Sequence, residues 1–149
     1  VSDIRFYHLT TTGLEAALPR LLEKTLARDW RAVVAAGSET RVESLAELLW
    51  TYDDRSFLPH GTAKDGHAAL QPVWLATDDA NVNNAQVLFL TDGLGTERLA
   101  AYQVIAEIFD GGDPEAVQAA RRHWRAYTEA GHAPSYWKQD PDGRWIKAA

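Results

Sequence analysis

Near the end of the 149-residue chain, Arg121, Trp124 and Arg125 bring two guanidinium groups and a large flat ring close together. Guanidinium forks pair with carboxylates, while an indole packs against apolar side chains. On a helix advancing 100° per residue from Val117, Trp124 falls at about 340°, Arg121 at about 40° and Arg125 at about 80°. Val117, Ala120, Trp124 and Tyr127 then form one apolar ridge with the arginines along its edge. Two outcomes stay open. Trp124 and Tyr127 fill the core beneath solvated arginines, or the ridge holds a pocket for an apolar side chain with guanidinium groups placed for a carboxylate. An acidic peptide ending in an aromatic residue satisfies the second arrangement.

A second candidate is Leu49-Trp-Thr-Tyr-Asp-Asp-Arg-Ser-Phe57, where Trp50 ends a helix and Phe57 opens an extended piece. Both belong to the core, or they form an aromatic hot spot for a protein partner.

The competing class is a small α/β enzyme using His60 with Asp92. The five histidines show no ligand spacing of the H-E-x-x-H kind. Asp78, Asp79, Asn81, Asn83 and Asn84 lack the central glycine and closing Glu of a calcium loop, and read as a solvated loop. Thr10-Thr-Thr-Gly13 has one glycine and Gly93-Leu-Gly95 lacks a third, so no phosphate-cradling loop is written here. No catalytic residues, metal ligands or cofactor are expected.

These residues need a scaffold. Ile4-Arg-Phe-Tyr-His-Leu9 reads as a strand. Thr12 and Glu15 have capping-box spacing before a leucine stripe that reaches about Asp29, with Pro19 predicting a kink. Arg31–Ala36 is a short strand, and Ser38 caps a helix ending at Trp50. Loops follow, marked by Asp53-Asp54, Pro59-His60-Gly61 and Gly66. Pro72–Ala76, Gln86–Leu90 and Gln103–Phe109 are further strands, the last with a helix over Leu99–Phe109 as competitor. Asp113-Pro114 opens the final helix and Gly131 stops it. The pattern predicts one three-layer α/β domain with a mostly parallel sheet, Rossmann-like but without the phosphate-binding loop. Residues 1–137 form this domain. Residues 138–149, with Asp140-Pro-Asp-Gly143 between Trp137 and Trp145, form an extension that is a short hairpin or a flexible tail.

Composition narrows the class. A formal net charge of -6 opposes a domain that grips a phosphate backbone by itself, although a direct nucleic-acid binder remains a third class. Absence of cysteine excludes disulfide and thiol chemistry. No apolar run reaches membrane-spanning length, and Val1-Ser-Asp-Ile-Arg does not read as a signal peptide, so a cytoplasmic protein without membrane contact is expected.

In order along the chain stand Ile4–Leu9, Ala27-Arg-Asp-Trp30, Leu45-Ala-Glu-Leu-Leu-Trp50, Ser56-Phe-Leu-Pro-His-Gly61 and Pro72-Val-Trp74. Glu107-Ile-Phe-Asp110 and Ala120-Arg-Arg-His-Trp-Arg-Ala-Tyr-Thr-Glu-Ala-Gly131 follow. The ordered set resembles the chi subunit family of bacterial DNA polymerase III holoenzyme, from Ile4 through Trp137. That resemblance implies a non-catalytic accessory subunit of the clamp-loader assembly. It implies binding to the acidic C-terminal tail of single-stranded-DNA-binding protein and to a psi-like subunit, with single-stranded DNA approached indirectly. It assigns Arg121, Trp124 and Arg125 to the tail, and Trp50 and Phe57 to psi. Trp124 replaces the family's expected Tyr, Val117 stands at a family basic position, and the segment after Trp137 is longer than the family form.

Overall fold

Among the described residues, seven strands and three α-helices follow one another as β1 (Asp3–Leu9), α1 (Leu14–Ala27), β2 (Ala32–Ala35), α2 (Glu39–Thr51), β3 (Val73–Ala76), β4 (Val87–Leu90), β5 (Val104–Asp110), α3 (Pro114–Glu129), β6 (Ser135–Gln139) and β7 (Trp145–Lys147). This computed structural model describes residues 2–53 and 55–149; Val1 and Asp54, the latter one of the expected loop markers, lie outside the described residues. Among the described residues no helix is long and apolar enough to cross a membrane.

All strands join one sheet in the order β3-β2-β4-β5-β1-β6-β7. Every pairing is parallel except the β6–β7 hairpin. The central strands read as continuous apolar runs because both faces are covered. On one face α1 and α2 pack through Leu18, Leu22, Leu45 and Leu49 against Tyr7, Val34 and Phe89. On the other, Ala120 and Tyr127 of α3 pack against Ile4, Phe6, Ile105 and Phe109. The two-residue alternation of β1 therefore sends Phe6 and His8 toward α3 and Tyr7 and Leu9 toward α1.

Strands β1 and β2 are not neighbours, since β5 and β4 lie between them. From adjacent β1 and β5 the chain leaves to opposite faces, through α1 and α3, which opens a crevice at their carboxyl ends. A cavity of about 610 Å³ occupies this place. Five carboxylates line it (Glu15, Asp92, Asp110, Asp113 and Glu115) against two guanidinium groups, Arg41 and Arg122. Excess negative charge there opposes a phosphate.

The start of α1 differs from the expected capping box. Its N-cap is Gly13, without a side-chain cap. Thr12 instead accepts a hydrogen bond through its hydroxyl from Gln139 Nε2 at 2.7 Å. The backbone N–H groups of Thr10, Thr11 and Thr12 converge on Gln139 Oε1 at 3.1, 3.0 and 3.0 Å. Successive N–H groups aimed at one point form an anion-type nest, and a neutral amide oxygen from the end of β6 fills it. The hairpin that follows pairs Gln139 with Trp145 and Trp137 with Lys147, and Trp145 packs edge-on against Tyr7 at 4.8 Å. Pro19 is buried within α1, and the helix continues through it. Ser38 caps α2 as expected, accepting from Arg41 N at 3.1 Å. The Asn-rich loop is structural as well as solvated: buried Asn83 donates to Ala32 O and Gln71 O.

Replacing Gln139 by Ala strands several partly buried donors, so Gln139→Ala should lower stability by about 2–3 kcal/mol in urea titration. Gln139→Glu, which keeps an acceptor in the nest, should lose less than about 1 kcal/mol. Equal losses for the two variants would contradict this account of the loop.

Candidate functional site

Helix α3 begins where the sequence places its start. Asp113 Oδ1 accepts from Glu115 N at 3.0 Å and Pro114 occupies the first turn. Small residues then bring the helix down onto the sheet, with Ala119 and Ala120 buried. The two aromatics of its apolar ridge divide. Tyr127 enters the core, where its hydroxyl accepts from Thr96 N at 3.2 Å. Trp124 stays half-buried with its ring edge-on to Phe6, centroids 5.3 Å apart. Phe6 is 2% exposed and also meets Tyr127 at 6.0 Å, so one phenyl ring seats both aromatics.

Because Trp124 remains at the edge, it walls a groove of about 540 Å³ between α3 and the β1–β6 side of the sheet. Phe6 and Phe109 contribute apolar surface, and Arg121 and Arg125, both exposed, stand on the α3 side. No side-chain carboxylate is among the described lining residues. In a chain of net charge -6 this is a local reversal of sign. The groove can hold an apolar side chain while presenting charge-assisted donors to a carboxylate. The structure thus brings Arg121, Trp124 and Arg125 into one cavity. It adds His8, which lies far from α3 in sequence, together with Phe109 and Tyr136, which flank the helix on either side. His8 and Phe6 share a face by strand alternation, and that was the available signal.

Beneath α3, Glu107 is 2% exposed and accepts a hydrogen bond from His123 Nδ1 at 2.8 Å. Among the described residues its other oxygen is buried without a partner. Burial raises the Glu107 carboxyl above the ordinary carboxylate range, and the His123 hydrogen bond opposes the shift.

The second candidate lies at the end of α2, toward the β3 edge. Trp50 is 63% exposed and Phe57 72% exposed, with ring centroids 5.9 Å apart. His60 supports the patch edge-on to Trp50 at 5.0 Å. Its Nδ1 bonds Leu58 O at 2.7 Å, and its buried Nε2 has no partner among the described residues. Asp92 is engaged elsewhere: its carboxylate accepts from Gly37 N at 2.9 Å and Arg41 Nε at 3.2 Å. Asp92 lines the carboxyl-end crevice and His60 does not, so the structure does not assemble them as a dyad.

These features define a three-layer α/β protein whose phosphate-loop position is filled by its own Gln139 and whose apolar groove is rimmed by arginines. The chain belongs to the family described as DNA polymerase III chi subunit, HolC, whose model matches residues 1–135. It is 28% identical over 109 residues to "Probable DNA polymerase III subunit chi" from Rickettsia prowazekii (strain Madrid E). That match covers 73% of this chain and 66% of the relative.

Two outcomes follow from the geometry. Exposure of Trp50 and Phe57 means that replacing both by Ala should change stability by less than about 1 kcal/mol; a collapse of the fold in urea would show them to be structural. A native carboxyl with raised proton affinity contributes stability that is full below its unfolded value, near 4.5, and is lost as pH rises through the higher folded value. Glu107→Gln should therefore gain on wild type as pH rises from about 4.5 to 8. Parallel stability curves would contradict the role of burial at Glu107.

Proposed function

We propose that this chain is a non-catalytic accessory subunit of the bacterial replicase, joining its clamp-loader assembly to single-stranded-DNA-binding protein. The groove beside α3 receives that protein's acidic C-terminal tail. Trp124 forms part of the wall for the tail's terminal aromatic side chain, while Arg121 and Arg125 pair with its terminal carboxylate and neighbouring acidic residues. The carrying observation is this groove of reversed sign, with an apolar interior and two exposed guanidinium groups on an otherwise acidic chain. Family membership supplies the biological setting.

Trp50 and Phe57 bury against a psi-like subunit. Large bare aromatics side by side are suited to a protein interface, where their burial contributes most of the contact energy. The groove and the patch lie on opposite faces of the sheet, so both partners can be held together. Single-stranded DNA is then reached through its binding protein, in keeping with the acidic balance of the chain.

Fluorescence anisotropy of a labelled peptide carrying the cognate acidic C-terminus tests the groove. Wild type should bind, weakening as salt rises because charge-assisted contacts are screened. Arg121→Ala and Trp124→Ala should each lose about tenfold or more, close to 1.4 kcal/mol, while remaining folded. No binding by wild type at low salt would overturn the assignment.

A further inference from the structure

The far wall of the groove, opposite α3, is made by His8 of β1 and Tyr136 of β6. Their side chains meet at 2.5 Å, His8 Nδ1 to the Tyr136 hydroxyl. The imidazole stacks on Phe109 with centroids 4.7 Å apart. It also lies against Gly111, where a Cβ would come within 2.1 Å of Nε2. The ring is therefore fixed, and a side chain at Gly111 would push it out of place.

We infer that His8 is a third contact for the carboxylate of the peptide held in this groove, and that it takes up a proton when the peptide binds. The inference rests on the reading of the groove as a receptor for an acidic, carboxylate-ended peptide. With a neutral imidazole, the Tyr136 O–H donates to Nδ1. With an imidazolium, Nδ1–H donates to the Tyr136 oxygen, and the tyrosine proton becomes available to a ligand. Proton uptake thus adds a positive charge to a wall that faces two arginines and releases a hydroxyl donor beside it.

The surroundings place this equilibrium within reach of a ligand. Burial lowers the proton affinity of His8 below the ordinary value of 6.5, Asp110 at the end of β5 opposes that, and Lys138 on β6 adds to it. Arg121 and Arg125 face the groove from α3, Tyr136 stands on β6, and Ala149, with its terminal carboxyl group, lines the same groove and accepts from Tyr136 N at 3.0 Å. An arriving carboxylate adds negative charge where cations otherwise dominate, and so favours the imidazolium. By linkage, peptide affinity rises as pH falls through the bound-state value of His8 and levels off below its free value.

The test is calorimetric titration of the full chain with the acidic peptide near pH 6.5, in two buffers of different ionisation enthalpy, with affinities measured from about pH 5.5 to 8. The expected result is net uptake of up to one proton and binding about three- to tenfold tighter at the acidic end, a unit shift in proton affinity being worth about tenfold. His8→Gln should bind more weakly than wild type at the acidic end and lose the pH dependence, which separates His8 from His60, His67, His123 and His132. Tyr136→Phe, which keeps the ring, should reduce the gain on acidification. Should His8→Gln fail to fold, the imidazole resonances of His8 in wild type, followed by NMR with and without peptide, must show its titration moving to higher pH. Binding without proton uptake, or equal pH dependence in His8→Gln, overturns this inference and leaves the receptor groove standing. No binding at any pH overturns both.

Discussion

The packing of α3 on Phe6 shapes the groove beside that helix. One buried phenyl ring supports Tyr127 on one side and Trp124 on the other. Tyr127 enters the core, where its hydroxyl accepts from the Thr96 amide. Trp124 is left as a rigid edge, and the space beside it becomes the groove. Aromatic packing here both stabilises the helix and creates an apolar site with charge on its rim.

The same economy appears where a nucleotide-binding protein would hold phosphate. The β1–α1 loop still presents a fan of backbone N–H groups, and Gln139 satisfies three of them from the C-terminal hairpin. Beside it the carboxyl-end crevice is lined mainly by carboxylates. The sheet keeps an open α/β architecture, with an arginine-rimmed groove beside α3 and an exposed aromatic pair at the end of α2. The chain belongs to the chi subunit family, matched over residues 1–135.

Local signals in the sequence foretold much of this. Asp113-Pro114 starts α3, Ser38 caps α2, and the branched and aromatic runs become parallel strands. The arginine-edged ridge of α3 also follows from helical spacing. Periodicity leaves open whether Trp124 and Tyr127 share one fate, because that depends on Phe6, more than a hundred residues away. It also leaves open the exposure of Trp50 and Phe57, since an apolar residue at a helix end reads alike whether something covers it or not. Thr12 misleads because its capping spacing is local, whereas its hydroxyl is taken by Gln139, and no pattern encodes that distant hydrogen bond. His8 and Tyr136 join the groove only through the β1–β6 pairing.

The most direct test of the central claim is NMR mapping of the acidic C-terminal peptide of single-stranded-DNA-binding protein onto the isotope-labelled chain. The account predicts perturbations concentrated at the Trp124 indole N–H, Arg121, Arg125, Phe6, His8 and Tyr136, with the Trp50 indole N–H unchanged. Perturbations concentrated instead at Trp50 and Phe57, or in the crevice around Asp92 and Asp110, would contradict it.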